Sequence, residues 1–436
     1  MQVNLIDGLL QEGEKQRAEQ VLNACVHCGF CTATCPTYLQ QGNELDSPRG
    51  RIYLVKEMLE RGEATKATRQ HLDRCLTCLS CETTCPSGVE YHKLVAIGRH
   101  TIERLAPRGK LDIFVRWGLR KLMVTRGLFA GFLRVGRLFS GLLPATIRRV
   151  YFPVVPRFDV KAALDSAAAP RSLLQKGTVL IVRGCVQPAL RPQTDLAMSK
   201  ILNYFGVPIA ESTFASCCGA ASFHTSGEEE ARRLARTNID GWWKLNQGVD
   251  GPVLRAIIST ASGCGVHLKD YPHLLQDDEE YREKAVQLAS LVKDPVELLE
   301  ELFSESTPTL SSVAQEQRLA FHCPCTLQHG QGLNQRVEQL LGHLGIRLPQ
   351  IADSHLCCGS AGTYSVLQPS MSKLLRGQKL TQLLATDPDT VITANIGCQL
   401  HLQSGTEKPV RHWLEVVADA LSPPTNVKNV REACNR

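Results

Sequence analysis

The fold of the N-terminal part is decided by two short stretches, Cys25-Val-His-Cys28-Gly-Phe-Cys31-Thr-Ala-Thr-Cys35-Pro36 and Cys75-Leu-Thr-Cys78-Leu-Ser-Cys81-Glu-Thr-Thr-Cys85-Pro86. In both, the four cysteines are separated by two, two and three residues, and a proline follows the last one. Gaps of two residues allow one tight loop to wrap a single metal centre with three thiolates. The proline fixes φ and turns the chain as it leaves the loop. The stretches therefore predict a pair of metal centres.

This spacing, given twice, is that of bacterial ferredoxins and predicts two [4Fe–4S] clusters that carry electrons. Two structural zinc sites are the alternative, but zinc ribbons use pairs of Cys-x-x-Cys without a trailing proline. In the ferredoxin pattern, the fourth cysteine of one motif binds the cluster that the other motif wraps. The expected ligands are Cys25, Cys28, Cys31 and Cys85 for cluster 1, and Cys35, Cys75, Cys78 and Cys81 for cluster 2.

A helix is predicted between the two motifs. Asp46 or Ser47, followed by Pro48, is typical of a helix start. Arg49 and Arg51 lie in its first turn, where they either raise the potential of a cluster or are solvated. His27, inside the first motif, is expected to tune a cluster, because four cysteines already fill the ligand positions. The apolar face and the end of the helix are expected at Ile52, Val55, Leu59 and Gly62.

Length and composition indicate a multidomain globular protein with reduced thiols. The chain has 436 residues, enough for several domains, and no run of 18 apolar residues that would predict a transmembrane helix. Its N-terminus lacks the basic and then apolar pattern of a secretory signal. Because its 18 cysteines fall in tight repeats, we expect metal-binding thiolates in the cytoplasm and not disulfides.

Positive charge is concentrated between residues 104 and 157. This stretch holds twelve Lys/Arg and one acid, a net +11, which leaves −5 for the rest of a chain whose total is +6. A helix in 126–143 would have two faces, with Leu128, Phe132, Val135, Phe139 and Leu142 on one and Arg126, Arg134 and Arg137 on the other. The pattern is typical of a helix in a membrane interface; the alternatives are packing on a partner or on this chain's own core. A nucleic-acid partner is not expected.

Residues 176–422 are predicted to be α/β, because apolar runs at 178–182, 256–259, 318–321 and 390–393 alternate with helical patterns. A loose, proline- and alanine-rich linker precedes them. Cysteines repeat along this part. In each half, 31 residues separate a first cysteine from a Cys-Cys-Gly, and a single cysteine follows a later strand. The two halves are therefore interpreted as pseudo-symmetric copies of one module.

The Cys-Cys-Gly pattern resembles the cysteine-rich domain of the heterodisulfide reductase family, whose cysteines hold an iron–sulfur cluster of unusual shape. That family ends the pattern with Cys-x-x-Cys, whereas each copy here has one cysteine there. The four cysteines of each module could hold a cluster, bind zinc or act as metal-free redox thiols. The candidate sets are Cys185, Cys217, Cys218 and Cys264, and Cys325, Cys357, Cys358 and Cys398.

Other residues near these sets are interpreted more simply. Cys323 is expected to be a core thiol and Cys434 a free thiol in a polar tail. Four histidines lie near the cysteines in the sequence: His267, His322, His355 and His401. Each is expected to be structural or to touch a cofactor or a proton path. His267 and His401 occupy matching places in the two copies.

Two ferredoxin motifs, Ser-Pro-Arg-Gly-Arg-Ile at 47–52 and two Cys-Cys-Gly modules span nearly the whole chain and resemble the family of glycolate oxidase iron–sulfur subunits. Residues 321–330 and 394–402 look especially close to it. The resemblance implies a relay of electrons from an FAD-containing 2-hydroxyacid oxidase subunit, accompanied by a second flavoprotein-like subunit, to a quinone at the inner face of the cytoplasmic membrane. The oxidised acid would be glycolate or D-lactate. No Gly-x-Gly-x-x-Gly follows a strand, so FAD and the catalytic residues are expected on the partner.

The expected architecture combines α+β and α/β parts. It comprises a mostly helical two-cluster ferredoxin domain over 1–103, basic amphipathic helices and a linker over 104–175, a first cysteine-rich module over 176–310, and a second module with a tail over 311–436. Three alternative functions are a heterodisulfide-reductase-like subunit with catalytic modules, an iron–sulfur subunit of a lactate-utilisation or glycerol-3-phosphate dehydrogenase complex, and a redox-regulated binding protein.

Overall fold

The computed structural model describes residues 3–142, 144, 148, 150–151, 177–210, 217–248, 252–306, 308, 310 and 316–421. The predicted linker and Cys434 lie outside the described residues, as does the side chain of Leu142.

The N-terminal part is helical, and its helices enclose a single apolar core. The predicted helix is confirmed as Pro48–Arg61: the side chain of Ser47 accepts a hydrogen bond from the amide of Gly50, and Gly62 ends the helix with φ +68°. Its apolar face packs against Leu22 and Leu94 of neighbouring helices. The helices of this part are Glu12–Ala24, Pro36–Gln41, Pro48–Arg61, Lys66–Asp73, Ser80–Thr83 and Tyr91–Leu105.

Two further helices, Lys110–Val124 and Arg126–Leu138, connect this part to the remainder. Phe129 and Leu133 are buried and pack against Leu190. The opposite apolar residues stay exposed, Leu138 at 82% of its surface. Among the described residues, no helix is both long and apolar enough to cross a membrane.

The first cysteine-rich module contains a parallel sheet in the order β2-β1-β3-β4. Its strands are β1 (Thr178–Ile181), β2 (Ile209–Ala210), β3 (Leu254–Ile258) and β4 (Val292–Lys293). The predicted runs at 178–182 and 256–259 are confirmed as strands, while β2 and β4 are too short for a period to be visible. Its helices are Gln187–Leu190, Pro192–Tyr204, Ala220–Phe223, Glu228–Asn246, Ser262–Lys269, Tyr271–Leu274, Arg282–Ser290 and Pro295–Glu305.

The second module has a parallel sheet in the order β5-β6-β7, formed by β5 (Leu319–His322), β6 (Thr390–Thr393) and β7 (Val410–His412). The runs at 318–321 and 390–393 are thus also confirmed as strands. Its helices are Cys325–Gln328, Arg336–His343, Tyr364–Leu367, Pro369–Leu384, Ile396–Gln403 and Trp413–Ala420.

Helices of each module pack against helices of the other module across a common core. Helix Pro192–Tyr204 of the first packs on Trp413–Ala420 of the second, and Arg336–His343 of the second packs on Pro295–Glu305 of the first. Side chains from both sheets and from these four helices form one apolar cluster. A hydrogen bond of 2.8 Å from the Thr194 hydroxyl to the Glu415 carboxylate reinforces the first pair. The modules are therefore one packed body around a shared interface.

Candidate functional site

Two adjoining cavities in the N-terminal part are lined by the two predicted cysteine sets. Pro48, Tyr91 and Cys81 line both, so these residues form the wall between them. Each predicted set lines one cavity, with three cysteines from one motif and the last cysteine from the other, and Cys81 also lines the cavity of the first set. The crossover is thus present in the geometry, while the assignment of ligands stays a prediction. The sets are Cys25, Cys28, Cys31 and Cys85 in one cavity, and Cys35, Cys75, Cys78 and Cys81 in the other.

Left-handed backbone conformations let each motif wrap its cavity. In the first motif His27 has φ +54° and Gly29 has φ +85°, and at the same two places in the second motif Thr77 has φ +50° and Leu79 has φ +63°. Such values are unusual for a residue with a side chain, above all for a β-branched one. Backbone strain that recurs at matching positions indicates loops shaped to enclose a ligand.

The cavity of the second set contains a buried cation. Arg51, 1% exposed, lies 3.9 Å from the sulfur of Cys35 through its Nη1, and its Nη2 donates to the hydroxyl of Thr37 at 3.1 Å. Burial acts to raise the pKa of Cys75, but the positive charges of Arg51 and Arg99 outweigh it and hold that pKa below its ordinary value. Two interpretations of the Arg51 side chain were open, one beside a cluster and one in solvent. The structure favours the position beside the cysteines.

Asp46 anchors this arrangement and is not the N-cap. Its carboxylate is fully buried and contacts Nη2 of Arg51 at 3.4 Å, Nδ1 of His71 at 2.9 Å and Nη1 of Arg74 at 2.9 Å. Paired in this way, a buried carboxylate can fix the position of Arg51.

The cavity of the first set is nearer the surface. Arg49 lines it, pairs with Glu44 at 2.7 Å and donates to the carbonyl of His27 at 3.4 Å. The motif itself is accessible: Cys28 is exposed, and Phe30 is 61% exposed. A cluster held here would therefore lie beneath an open, partly apolar surface.

The structure brings the four cysteines of the first cysteine-rich module together. The sulfurs of Cys185 and Cys217 are 3.3 Å apart, and Cys218 contacts both Cys217 and Cys264. Hydrogen bonding with the neighbouring Cys185 and Cys218 thiols lowers the pKa of Cys217 to about 4. Cys264 lies in the first turn of helix Ser262–Lys269, directly after β3.

The second module brings its own set together. The sulfurs of Cys325 and Cys357 are 3.9 Å apart, and Cys358 contacts Cys398. A ring nitrogen of His322 and the sulfurs of Cys358 and Cys398 all lie within 4.8 Å of one another. Burial lowers the pKa of His322 well below its ordinary value, so the ring is neutral.

The other histidines near the cysteines have different surroundings. His401 Nε2 lies 3.2 Å from both the hydroxyl and the carbonyl of Ser372. His267 is buried, and its Nε2 lies near the Cys-Cys-Gly turn at Gly219. The carbonyl of His355 contacts the ring of His329, and Cys323 is buried in the common core.

The cysteine sets fit a metal centre by their own chemistry. Each gathers four thiols in one place, and all the described cysteines are free, with no disulfide among them. Soft thiolate ligands select iron–sulfur clusters and zinc. In the N-terminal sets, the crossover between motifs is the arrangement of a two-cluster ferredoxin.

A buried lysine beside the cysteines of the second module was not predicted from the sequence. Lys379 is 2% exposed, and its Nζ donates to the carbonyl of Asp353 at 2.7 Å. Burial lowers its pKa, and the nearby Cys358 and Cys357 oppose that effect. One signal could have found it: Lys379 falls on the same helical face as the buried Ser372 and Leu375. No local signal marks Asp46, because its partners His71 and Arg74 are 25 and 28 residues away.

A large cavity of about 900 Å³ lies between the N-terminal part and both modules. Its lining includes Cys78, Cys185, Cys264, Cys325 and Cys398. The second cysteine motif closes one side of it by direct contact: Leu76, Cys357 and Tyr364 form one apolar cluster, against which Cys78 and Cys325 pack.

Comparison with known proteins agrees with this architecture. A model of the 4Fe-4S dicluster domain family matches residues 21–89, and a model of the cysteine-rich (CCG) domain family matches residues 179–269 and 319–403. A crystal structure of a hypothetical protein from Helicobacter pylori shares the fold, with a TM-score of 0.52 over 94% of this chain and 72% of that chain, at 11% identity.

Three named relatives are similar in sequence to this chain. The glycolate oxidase iron-sulfur subunit of Escherichia coli is 44% identical over 97% of this chain and 99% of its own length. The probable glycolate oxidase iron-sulfur subunit of Bacillus subtilis is 30% identical over 92% of both chains. The lactate utilization protein A of Exiguobacterium is 25% identical over 54% of this chain and 95% of its own. With its two-cluster motifs and paired cysteine-rich modules, this chain belongs to the family of glycolate oxidase iron–sulfur subunits and is an iron–sulfur subunit that transfers electrons.

Proposed function

We propose that this chain relays electrons from an FAD-containing subunit, which oxidises glycolate or D-lactate, towards a quinone at the membrane. Relatives named for glycolate oxidation and for lactate utilisation support a 2-hydroxy acid as the electron source. The sequence offers no dinucleotide-binding motif, which supports placing the flavin, and the catalytic residues with it, on a partner subunit. A second flavoprotein-like subunit completes the proposed complex.

The two [4Fe–4S] clusters of the relay are proposed in the two N-terminal cavities. Cluster 1 has Cys25, Cys28, Cys31 and Cys85 as ligands, and cluster 2 has Cys35, Cys75, Cys78 and Cys81. The shared wall of the cavities supports direct electron exchange between them. The exposed surface around Cys28 and Phe30 supports docking of the flavin subunit beside cluster 1.

The observation that carries this proposal is the contact between the second motif and the second module. Cys78 packs on the same apolar cluster as Cys325 and Cys357, and the hydroxyl of Tyr364 donates to the carbonyl of Arg74 at 3.0 Å. Electrons leaving cluster 2 would thus meet the cysteine set of the second module. We therefore propose an iron–sulfur centre in the second module and a further one in the first module. We also propose domain boundaries near residues 103, 175 and 310, which divide the chain into four parts.

A second candidate function follows from the large cavity. Cysteines of both modules line this cavity. This placement favours a catalytic role, in which the modules themselves reduce a disulfide or quinone bound in the cavity. Iron quantitation distinguishes a chain with only the ferredoxin clusters from one that also has centres in its modules. About eight irons per chain would indicate the ferredoxin clusters alone, and about twelve or sixteen would indicate one or two further centres in the modules.

Membrane association is proposed through the exposed apolar face of helices Lys110–Val124 and Arg126–Leu138. Much of the segment's charge contacts this chain's own groups: Arg108 pairs with Asp73 at 2.6 Å, Lys121 pairs with Glu230 at 2.6 Å, and Arg126 donates to the carbonyl of Gly184 at 2.6 Å. Arg126 therefore faces the first module and not solvent. The exposed Leu and Phe side chains, together with Arg134 and Arg137, which stay exposed, are left to contribute to binding.

Activity of the reconstituted complex tests the relay. The chain is co-expressed with its flavin subunit, and glycolate- and D-lactate-dependent dye reduction is measured alongside the flavin spectrum. Cys78→Ser should abolish reduction of the distal acceptor while the bound flavin is still reduced by substrate. Cys434→Ser, outside every proposed set, is the matched control. Full activity of the Cys78→Ser complex, or failure to associate with any flavoprotein, would contradict the proposal.

A further inference from the structure

The two modules differ at one position that adjoins their cysteines. His322 stands three residues before Cys325, at the end of β5, and Val182 stands three residues before Cys185, just after β1. Val182 is buried in one apolar cluster with Cys217 and Cys218. The second module thus carries a nitrogen donor at the place where the first module is apolar.

The surroundings of His322 give its ring no other role. The residue is 2% exposed, and neither Nδ1 nor Nε2 has a hydrogen-bond partner among the described residues. Buried polar groups in folded proteins are nearly always paired, because an unpaired one loses its hydration without compensation. A ring nitrogen instead lies within 4.8 Å of the sulfurs of Cys358 and Cys398. The unpaired nitrogen and the two thiols converge on one point.

We propose that a ring nitrogen of His322 is a direct ligand of the iron–sulfur centre of the second module, which makes that centre a mixed imidazole–thiolate site and leaves the first module's centre ligated by thiolates alone. This inference rests on the proposed iron centre in the second module. Five donors, the four cysteines and His322, are available there for a cluster that takes four ligands, so the imidazole takes the place of one thiolate. The hydrogen bond of 3.6 Å from Asn395 Nδ2 to the Cys398 sulfur orients a donor of the same set.

The asymmetry gives the two module centres different reduction potentials. A neutral imidazole in place of a thiolate makes a cluster less negative and raises its potential, as the His-ligated two-iron centres show. The centre of the second module is then the more readily reduced of the two. It also adjoins the second ferredoxin motif, so it is placed to accept the electron first.

Pulsed EPR of the reduced holoprotein tests the ligand directly. Wild-type protein should show a strongly coupled imidazole ¹⁴N at one iron–sulfur centre, and the coupling should change to that of ¹⁵N when the protein is grown on ¹⁵N-histidine. His322→Val, which copies the first module, should lose this coupling. His322→Cys should retain iron in the centre and lower its midpoint potential. The isotope measurement needs no substitution, so it decides the question even where His322→Val fails to assemble.

His401→Gln is the matched control, because His401 is a neighbouring histidine held by Ser372; it should keep the coupling. Wild-type protein without the coupling, or a coupling that survives His322→Val, would overturn the proposal. So would a second module that contains zinc or no iron. In those cases the ferredoxin cluster signals and their substrate-dependent reduction would still be present if the relay function is correct, so the two proposals fail separately.

Discussion

Buried cations stand beside thiols in both halves of the molecule. Arg51 lies next to Cys35, and Lys379 lies close enough to Cys357 and Cys358 to be affected by their charge. A cluster gains negative charge on reduction, so a buried cation nearby favours the reduced form. Single residues outside the ligand sets can therefore adjust the driving force between successive centres.

Lys379→Met should lower the reduction potential of the centre in the second module, because it removes positive charge and keeps most of the side-chain volume. A potentiometric titration followed by EPR measures the effect. Lys373→Met, exposed on the same helix, is the control and should leave the potential unchanged. An unchanged potential in Lys379→Met would show that the lysine has a purely structural role.

Asp46→Asn should destabilise the N-terminal part by about 3 kcal/mol or more, because removing one partner of a buried ion pair leaves the other uncompensated. Arg51 would lose its carboxylate while remaining buried. Chemical denaturation of the anaerobic holoprotein measures the loss. Asp7→Asn, which removes an exposed pair with Lys15, should change the stability far less, because water and salt screen a surface pair. Equal stability of the two variants would contradict the buried-anchor role.

At the scale of elements, helix Arg126–Leu138 has two apolar faces with different tasks. Phe129 and Leu133 fix it to Leu190 of the first module. Leu128, Val135 and Leu138 remain exposed. A helix that is packed on one side and exposed on the other presents a preformed surface, so the proposed membrane contact would require little ordering of this segment.

The double variant Val135→Ser/Leu138→Ser should weaken binding to anionic vesicles by at least about tenfold, because burying each apolar side chain contributes about 1.5 kcal/mol. Vesicle co-sedimentation across a lipid series gives the affinity. The control is Val286→Ser, an exposed valine on a helix of the first module. Unaltered binding of the double variant would assign the surface to a protein partner.

A helix or strand could be predicted from the sequence where the residues that determine it are close together in the chain. Helix Pro48–Arg61 was predicted because its cap, proline and final glycine are contiguous with it. Strands β2, β4 and β7 have two or three residues, too few for a recognisable pattern. The cysteine sets were predicted from spacing, but the contact of Tyr364 with Arg74 joins residues 290 positions apart. No periodicity or motif indicates such a contact, because it arises only from packing of distant parts.

At the scale of the whole molecule, the proposed relay depends on that contact between the second motif and the second module. Tyr364→Ala should slow electron transfer from cluster 2 to the module centre, since it removes both the hydrogen bond to Arg74 and apolar packing on Leu76. Tyr364→Phe keeps the packing and should have a smaller effect. Freeze-quench EPR after substrate addition follows the two centres. The exposed Val366→Ala is the control, and an unchanged rate in Tyr364→Ala would place the exit route elsewhere.

The reciprocal helix packing of the two modules has a consequence for how a single module could fold. Each module leaves uncovered a surface that only its sibling conceals. A single module on its own would need a second copy of itself to cover that surface, at a population set by its concentration. Joining two such modules in one chain makes that encounter intramolecular. The two modules of one chain also need not be identical, as the valine of one and the histidine of the other illustrate.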